Sequence, residues 1–139
     1  NGVIIQKYQH FQGMNEDAIM KHCGYPDAVL SDGGISFCVV SESLVLCFLV
    51  EDDIKWINNH QKFSIKYDYS LGGNKSSFAD SVYGKSVAVF VQKDRDYILF
   101  GKYKLENPYA EHGGLPKGAV EEYTPLVFSA ERENMKDNK

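Results

Sequence analysis

The stretch ISFCVVSESLVLCFLV, residues 35–50, decides the fold. It holds two short apolar runs, Ile35–Val40 and Leu44–Val50, separated by the polar Ser41-Glu42-Ser43. Runs of this length, rich in β-branched residues and set around three polar ones, read as a β-hairpin. Neither run alternates cleanly between apolar and polar residues. Both faces of the hairpin are therefore expected to be covered, which makes it the core.

Working outward, Phe63, Ile65, Tyr67 and Tyr69 alternate with Ser64, Lys66, Asp68 and Ser70. This period of two predicts a strand with one aromatic and one polar face. Lys85–Val91 and Tyr97–Leu105 predict a second hairpin across Lys93-Asp94-Arg95-Asp96, with Gly101 marking a bulge or a close backbone approach. Residues 3–11 read as a first strand. Val120–Ser129 reads as a last one, interrupted at Pro125 and so placed at a sheet edge. Asn15 is expected to cap a helix over Glu16–His22, stopped by Gly24 and Pro26. Asp32-Gly33-Gly34 is a turn signal. Asp52 or Asp53 is expected to cap a short helix through Ile54–Ile57, and residues 74–84 form an exposed loop or short helix. Residues 107–118 read as a long loop.

Six or seven strands with one or two short helices, and no βαβ alternation, place the chain in the α+β, β-rich class. The expected architecture is a curved sheet or partial barrel. With 139 residues the chain fits one domain over 1–130, large enough for a core without metal or disulfide staples. The charged end, 131–139, is expected to fray. Aromatics make up 13%, nine Tyr and eight Phe, in keeping with a strand-rich composition.

Cys23, Cys38 and Cys47 are an odd set with no C-x-x-C spacing, and two of them lie inside apolar runs. They read as reduced thiols of an intracellular protein. No stretch approaches the roughly 20 apolar residues that span a bilayer, so no membrane partner is expected. No charged-then-apolar leader opens the chain, which begins at Asn1 and is expected to be part of something larger.

Net charge is −4, unevenly spread. Residues 1–60 carry three Lys against eight acids, 61–104 carry eight Lys or Arg against four, and 105–139 carry four against seven. A basic middle between acidic ends predicts one positive face on a negative protein. Only Arg95 and Arg132 are arginine, so bidentate recognition of phosphate or guanine has few candidates.

Catalytic and metal chemistry find little support. His10, His22, His60 and His112 share no ligand spacing, and nothing local ties Cys23 to His112 as a nucleophile pair. Glu51-Asp52-Asp53 has the composition of a divalent-metal or acid–base site, but also of a solvated turn. The glycine pairs lack the K-[ST] of a P-loop and the G-x-G-x-x-G of a dinucleotide site. No enzyme activity and no cofactor are expected.

From Ser43 onward the order of short motifs resembles the SRA (SET- and RING-associated) domain, a PUA-like fold that reads modified cytosine. SLVL at 43–46 is similar to that family's S-L-V-L strand, and EDD at 51–53 to the E-D-D that follows it. YDYSLGGNK at 67–75 resembles Y-T-G-S-G-G…N-K. GKSV at 84–87 parallels G-K-P-V, and YILFGKYK at 97–104 resembles Y-R-Y-D-G-I-Y-K. YAEHG at 109–113 echoes Y-W-x-E-x-G. Together these cover about half the chain.

The resemblance implies a PUA-like curved sheet and a non-catalytic domain that recognises a flipped, methylated cytosine. In that family the base stacks between aromatic rings while an Asp holds its Watson–Crick edge. By position, Asp53 would accept the exocyclic amine, and Tyr67 or Tyr69 would stack. Asn74 and Lys75 would approach the backbone or the vacated duplex position, with Lys66, Lys85, Lys102 and Lys104 on phosphates. The implied partner is nucleic acid, double-stranded DNA first, and the implied compartment is the nucleus ahead of the cytoplasm.

Three departures stand out. Val50 replaces a second stacking Tyr, Ser76 replaces an Arg after Lys75, and the long insertion before the G-K-P-V strand is almost absent. The acidic ends and the scarcity of arginine favour an alternative, a protein-interaction or assembly domain, with other subunits as partners, on a related barrel without the pocket. Tyr67, Tyr69, Tyr83 and Tyr103 suit either an aromatic sheet face packed into the core or a base-stacking surface.

Overall fold

The structure, a computed structural model, describes residues 7–32, 35–66, 77–106 and 126–131. The decisive stretch is the hairpin its sequence predicts, β3 (Ser36–Val39) against β4 (Leu44–Val50), with Phe37 opposite Cys47. β7 (Ser86–Lys93) and β8 (Asp96–Leu105) form the second hairpin. Its turn residues Asp94 and Arg95 both have positive φ, 50° and 80°, the handedness that matches strand twist in a two-residue hairpin loop. The register slips between Val89 and Phe90 where Phe100 stands as the extra residue, and the neighbouring Gly101 adopts φ 131°. That is the expected bulge.

The two hairpins join through β4 and β7, which run parallel with Val45 opposite Val87 and Phe48 opposite Phe90. Residues 51–85 make the crossover between them. It contains a 3-10 turn (Glu51–Asp53), strands β5 (Ile54–Ile57) and β6 (Lys62–Ile65), and helix α2 (Ser77–Val82). With β1 (His10–Phe11), β2 (Ser31–Asp32) and β9 (Leu126–Ala130), nine strands among the described residues form one mixed sheet. Its order is β2-β3-β4-β7-β8-β9-β6-β5, with β1 on β8. The class is α+β and strand-rich, and the sheet is curved but not closed.

Side chains of β4 and β7 alternate between two cores. Val45, Cys47, Leu49, Val87, Val89 and Val91 belong to an inner core, joined by Phe37, Phe63, Ile65, Phe100, Tyr103, Leu126 and Phe128 from the other strands. α2 caps this concave side with Phe78, Ala79 and Val82. Leu46, Phe48, Ala88 and Phe90 face outward, under Phe11 of β1, Ile19 and Met20 of helix α1 (Glu16–His22), and Cys23, which caps its C-terminus. The Asn15 side chain accepts from the Ala18 N–H at 2.9 Å, so α1 carries the expected cap. All three cysteines are free and buried. Burial pushes the Cys23 thiol up to about 11 and raises those of Cys38 and Cys47, so they serve as packing groups.

Four expectations need correction. Residues 54–57 form a strand, not a helix: Ile54, Lys55, Trp56 and Ile57 pair antiparallel with Ile65, Ser64, Phe63 and Lys62. Trp56 and the two isoleucines suit a pleated surface better than one helical turn. β9 is interior, bonded to both β8 and β6: Leu126–Ala130 contains no proline, so each residue can donate to the ladder, while 120–125 of the expected strand lie outside the described residues. The 77–82 helix is not an exposed element, since its apolar residues fill the inner core. The described residues hold nine strands rather than six or seven, because β2, with two residues, leaves no periodic signal and β5 is a strand where a helix is expected. Of the proposed first strand, residues 3–6 lie outside the described residues, as do the loop at 107–118 and residues 132–139 of the tail.

Candidate functional site

Strand β4 leaves the core at Leu49 and turns at Glu51-Asp52-Asp53, where the chain reverses into β5. None of these acids caps a helix. Val50 holds the cap position of the 3-10 turn without a side-chain hydrogen bond. Glu51 pairs with Lys93 at 3.4 Å, both about 40% exposed, a surface pair of small energetic weight. Asp52 and Asp53 are exposed and make no side-chain hydrogen bond or ion pair among the described residues.

Both aspartates line a cleft of about 870 Å³. Its walls come from opposite ends of the sheet, Ile35 and Ser36 at the β3 end and Ile54 and Lys55 on β5. The cleft is therefore the seam where the curving sheet fails to close. Leu49 and Ile65 supply its apolar floor, and Lys55 and Lys66 stand at its exposed rim.

On the α1 side, Phe48 and Tyr97 supply aromatic surface, and Tyr97 Oη donates to Glu16 Oε2 at 2.5 Å. The Tyr97 ring sits edge-on to Phe48, centroids 5.4 Å apart. Burial holds the Tyr97 phenol well above its ordinary range, and the hydrogen bond and charge of Glu16 push the same way. Tyr97 is thus a fixed donor that keeps Glu16 in place. The cleft combines acceptor carboxylates on its wall, aromatic and aliphatic surface within, and cations at its rim.

Asp53 and Lys66 thus line the same cleft. Lys85 does not join them. It precedes β7 at the far end from Gln92, a cleft residue, seven residues and about 23 Å away along a strand. Lys102 and Lys104 lie toward that same far end of β8, on its outer face. Tyr67, Tyr69, Asn74 and Lys75 lie outside the described residues. Of the other two tyrosines, Tyr103 is buried and donates to the His60 carbonyl at 2.8 Å, while Tyr83 is exposed.

Sequence reasoning missed Glu16, Phe48, Lys55 and Tyr97. The hairpin turn at Asp94-Arg95 places Tyr97 opposite Gln92, and so fixes its end of the sheet. What brings that end to Val50 is the parallel β4–β7 pairing, which leaves no local mark in the sequence.

A second polar–aromatic cluster lies on the inner side. Trp56 stacks on Phe100 with centroids 5.0 Å apart, and His60 packs edge-on to both, at 4.4 and 5.0 Å. Tyr8 Oη and His60 Nδ1 are 3.3 Å apart. His60 closes the β5–β6 turn in a run of three residues with positive φ, Asn58 56°, Asn59 55° and His60 74°. Burial lowers the His60 pKa below 6.5, Lys93 and Lys7 lower it further, and Glu51 partly opposes them.

A folded-state value below the unfolded one means the unfolded chain binds more protons as pH falls through that interval. Stability contributed by neutral His60 is therefore complete above pH 6.5 and is lost toward the lower folded pKa. The urea midpoint is expected to fall between pH 7.5 and 5.5, and to fall less in His60→Asn, since asparagine tolerates positive φ. An equal fall in both proteins would place the titration elsewhere.

Among the described residues no group of three or more His, Cys, Asp or Glu side chains is placed to hold a metal ion, and no helix is long and apolar enough to cross a membrane. The chain matches no protein-family model, no curated protein and no solved structure.

Proposed function

We propose that this is a non-catalytic nucleic-acid-binding domain, on a PUA-like curved sheet, that takes a flipped and modified cytosine into the seam cleft. The observation that carries the reading is Asp53, a carboxylate with no hydrogen-bond partner among the described residues, on the wall of a cleft of about 870 Å³. Clefts of about 300–1,000 Å³ accommodate small ligands, and a flipped base is at the lower end of what such a volume admits. Cytosine presents an exocyclic amine that needs an acceptor and a ring face that needs an apolar or aromatic surface. Asp53 supplies the first, and the apolar lining of Leu49, Ile54 and Ile65 supplies the second. A methyl group at the 5-position would gain from the aliphatic floor of Leu49 and Ile65.

Fluorescence anisotropy at low salt tests this, with duplexes carrying cytosine, 5-methylcytosine or 5-hydroxymethylcytosine. The modified duplexes are expected to bind more tightly, and Asp53→Ala to lose that preference with a loss of affinity of about 10- to 100-fold, the worth of a hydrogen bond to a charged group. Binding indifferent both to the modification and to Asp53 would overturn base recognition. It would turn attention to protein partners, for which the edge strand β5, at one end of the sheet, offers a surface for strand addition.

A further inference from the structure

The convex face of the sheet is treated differently on its two halves. Over β3, β4, β7 and the first half of β8 it is covered by β1 and α1. Over β5, β6, β9 and the second half of β8 nothing covers it among the described residues. Trp56, Phe63, Ile65, Tyr103, Leu126 and Phe128 of this wing turn inward. By the alternation of strands, the residues between them turn outward. Those are Lys55 on β5, Lys62, Ser64 and then Lys66 on and after β6, Val127 and Ser129 on β9, and Lys102 and Lys104 on β8.

Register fixes their neighbours. Lys62, Ser129 and Lys104 form one row across three strands, and Lys55, Ser64 and Val127 form the next. The chain is acidic overall, yet this wing presents five lysines. Among the described residues, the acids beside this surface already hold partners. Glu106 takes the Lys62 ammonium at 2.9 Å and the Ser129 hydroxyl at 2.6 Å, and Glu131 accepts from the Ser86 hydroxyl at 2.5 Å. Lys55, Lys66, Lys102 and Lys104 have no ion pair among the described residues.

We infer that this wing, which no described element covers, is the track on which the sugar–phosphate backbone of a nucleic acid lies, leading one strand into the seam cleft. The inference rests on the base-reading proposal for the identity of the polyanion, and it adds the path and the length of the footprint. Lys55 and Lys66 belong to both the wing and the cleft rim, so the track is continuous with the pocket. From there to Lys102 and Lys104 the path runs about four residues along a strand and two strands across, on the order of 17 Å. At about 3.4 Å of rise per phosphate on one strand this is roughly five nucleotides. Lysine point charges, without the planar fork of arginine, suit backbone contacts that position the nucleic acid without reading its sequence.

Four lysines without an ion pair among the described residues predict a slope of log affinity against log salt concentration of about −3 to −4 on duplex DNA, since each phosphate contact contributes about −0.9. The measurement is anisotropy of a fluorescein-labelled 12-mer duplex with one central 5-methylcytosine, from 25 to 250 mM salt. It compares wild type, Lys102→Gln/Lys104→Gln, Lys55→Gln/Lys66→Gln and Asp53→Ala, with circular dichroism checking each fold. Each lysine pair is expected to remove about two units of slope, while the Lys102/Lys104 variant keeps its preference for the modified base.

An unchanged slope in that variant would overturn the track, even with base selectivity intact and lost in Asp53→Ala. Reduced slopes without any selectivity would instead uphold the track and remove the base reader. Failure of the wild-type protein to bind the duplex at 25 mM salt would overturn both.

Discussion

Replacing Phe90 with alanine is expected to lower the free energy of unfolding by about 3–5 kcal/mol, the range for truncating a fully buried aromatic ring. Phe90 is 0% exposed at the centre of β7, on its outward face. It stacks on Phe48 at 5.0 Å and meets the edge of Phe11 at 5.5 Å, so it ties two central strands to the overlying β1. A cavity here has little chance to collapse, because its walls are a sheet on one side and the α1 layer on the other. Urea denaturation followed by far-ultraviolet circular dichroism measures the loss. A change under about 1 kcal/mol would mean that the α1 layer is not packed on the sheet as described.

The second large effect lies on the concave side. Phe63→Ala is expected to cost a similar 3–5 kcal/mol. Phe63 stacks on Phe128 at 5.0 Å and meets Tyr103 and Trp56 edge-on at 5.0 and 5.4 Å. Those partners come from β9, β8 and β5, so one ring holds together the wing that carries the lysines. Because Phe63 and Phe90 lie in different cores, the double variant is expected to lose the sum of the two, within about 0.5 kcal/mol. A clear shortfall would show that the two sides of the sheet do not act independently.

Both rings sit where the sequence places strands, and the reasons for success and failure are physical. The hairpins β3–β4 and β7–β8 were legible because their signals are local: apolar runs, polar turns of two or three residues, and a glycine at the bulge. α1 was legible through its Asn15 cap and the Gly24 stop. β5 was read as a helix because Asp52 and Asp53 mimic a cap, and four residues are too few to show a period of two. Pro125 suggests an edge, but Leu126–Ala130 pairs on both sides, because none of these five residues lacks a backbone donor.

The site was half legible. Asp53 and Lys66 share a cleft, but Lys85 lies at the other end of β7. Glu16 and Tyr97, 81 residues apart, meet only because α1 folds over the sheet beside the β7–β8 turn. No spacing rule anticipates such a pair. Of the wing of lysines, the sequence offers a positive charge balance over residues 61–104 and, through the resemblance, Lys66, Lys102 and Lys104, but not Lys55. Its sidedness emerged once the register of β6, β9 and β8 was known.

The parallel seam between β4 and β7 also governs how the chain acquires its shape. Each hairpin closes within its own short segment, on the microsecond scale of such events. Their union must wait until residues 51–85 have been gathered in, and the loop-closure entropy of that crossover is spent before any parallel contact returns it. Refolding is therefore expected to run in milliseconds to seconds, slowly for a chain of this size. On the ribosome, the hydrogen-bonding edge of β4 emerges well before its partner, and waits exposed for a strand that has not yet been made.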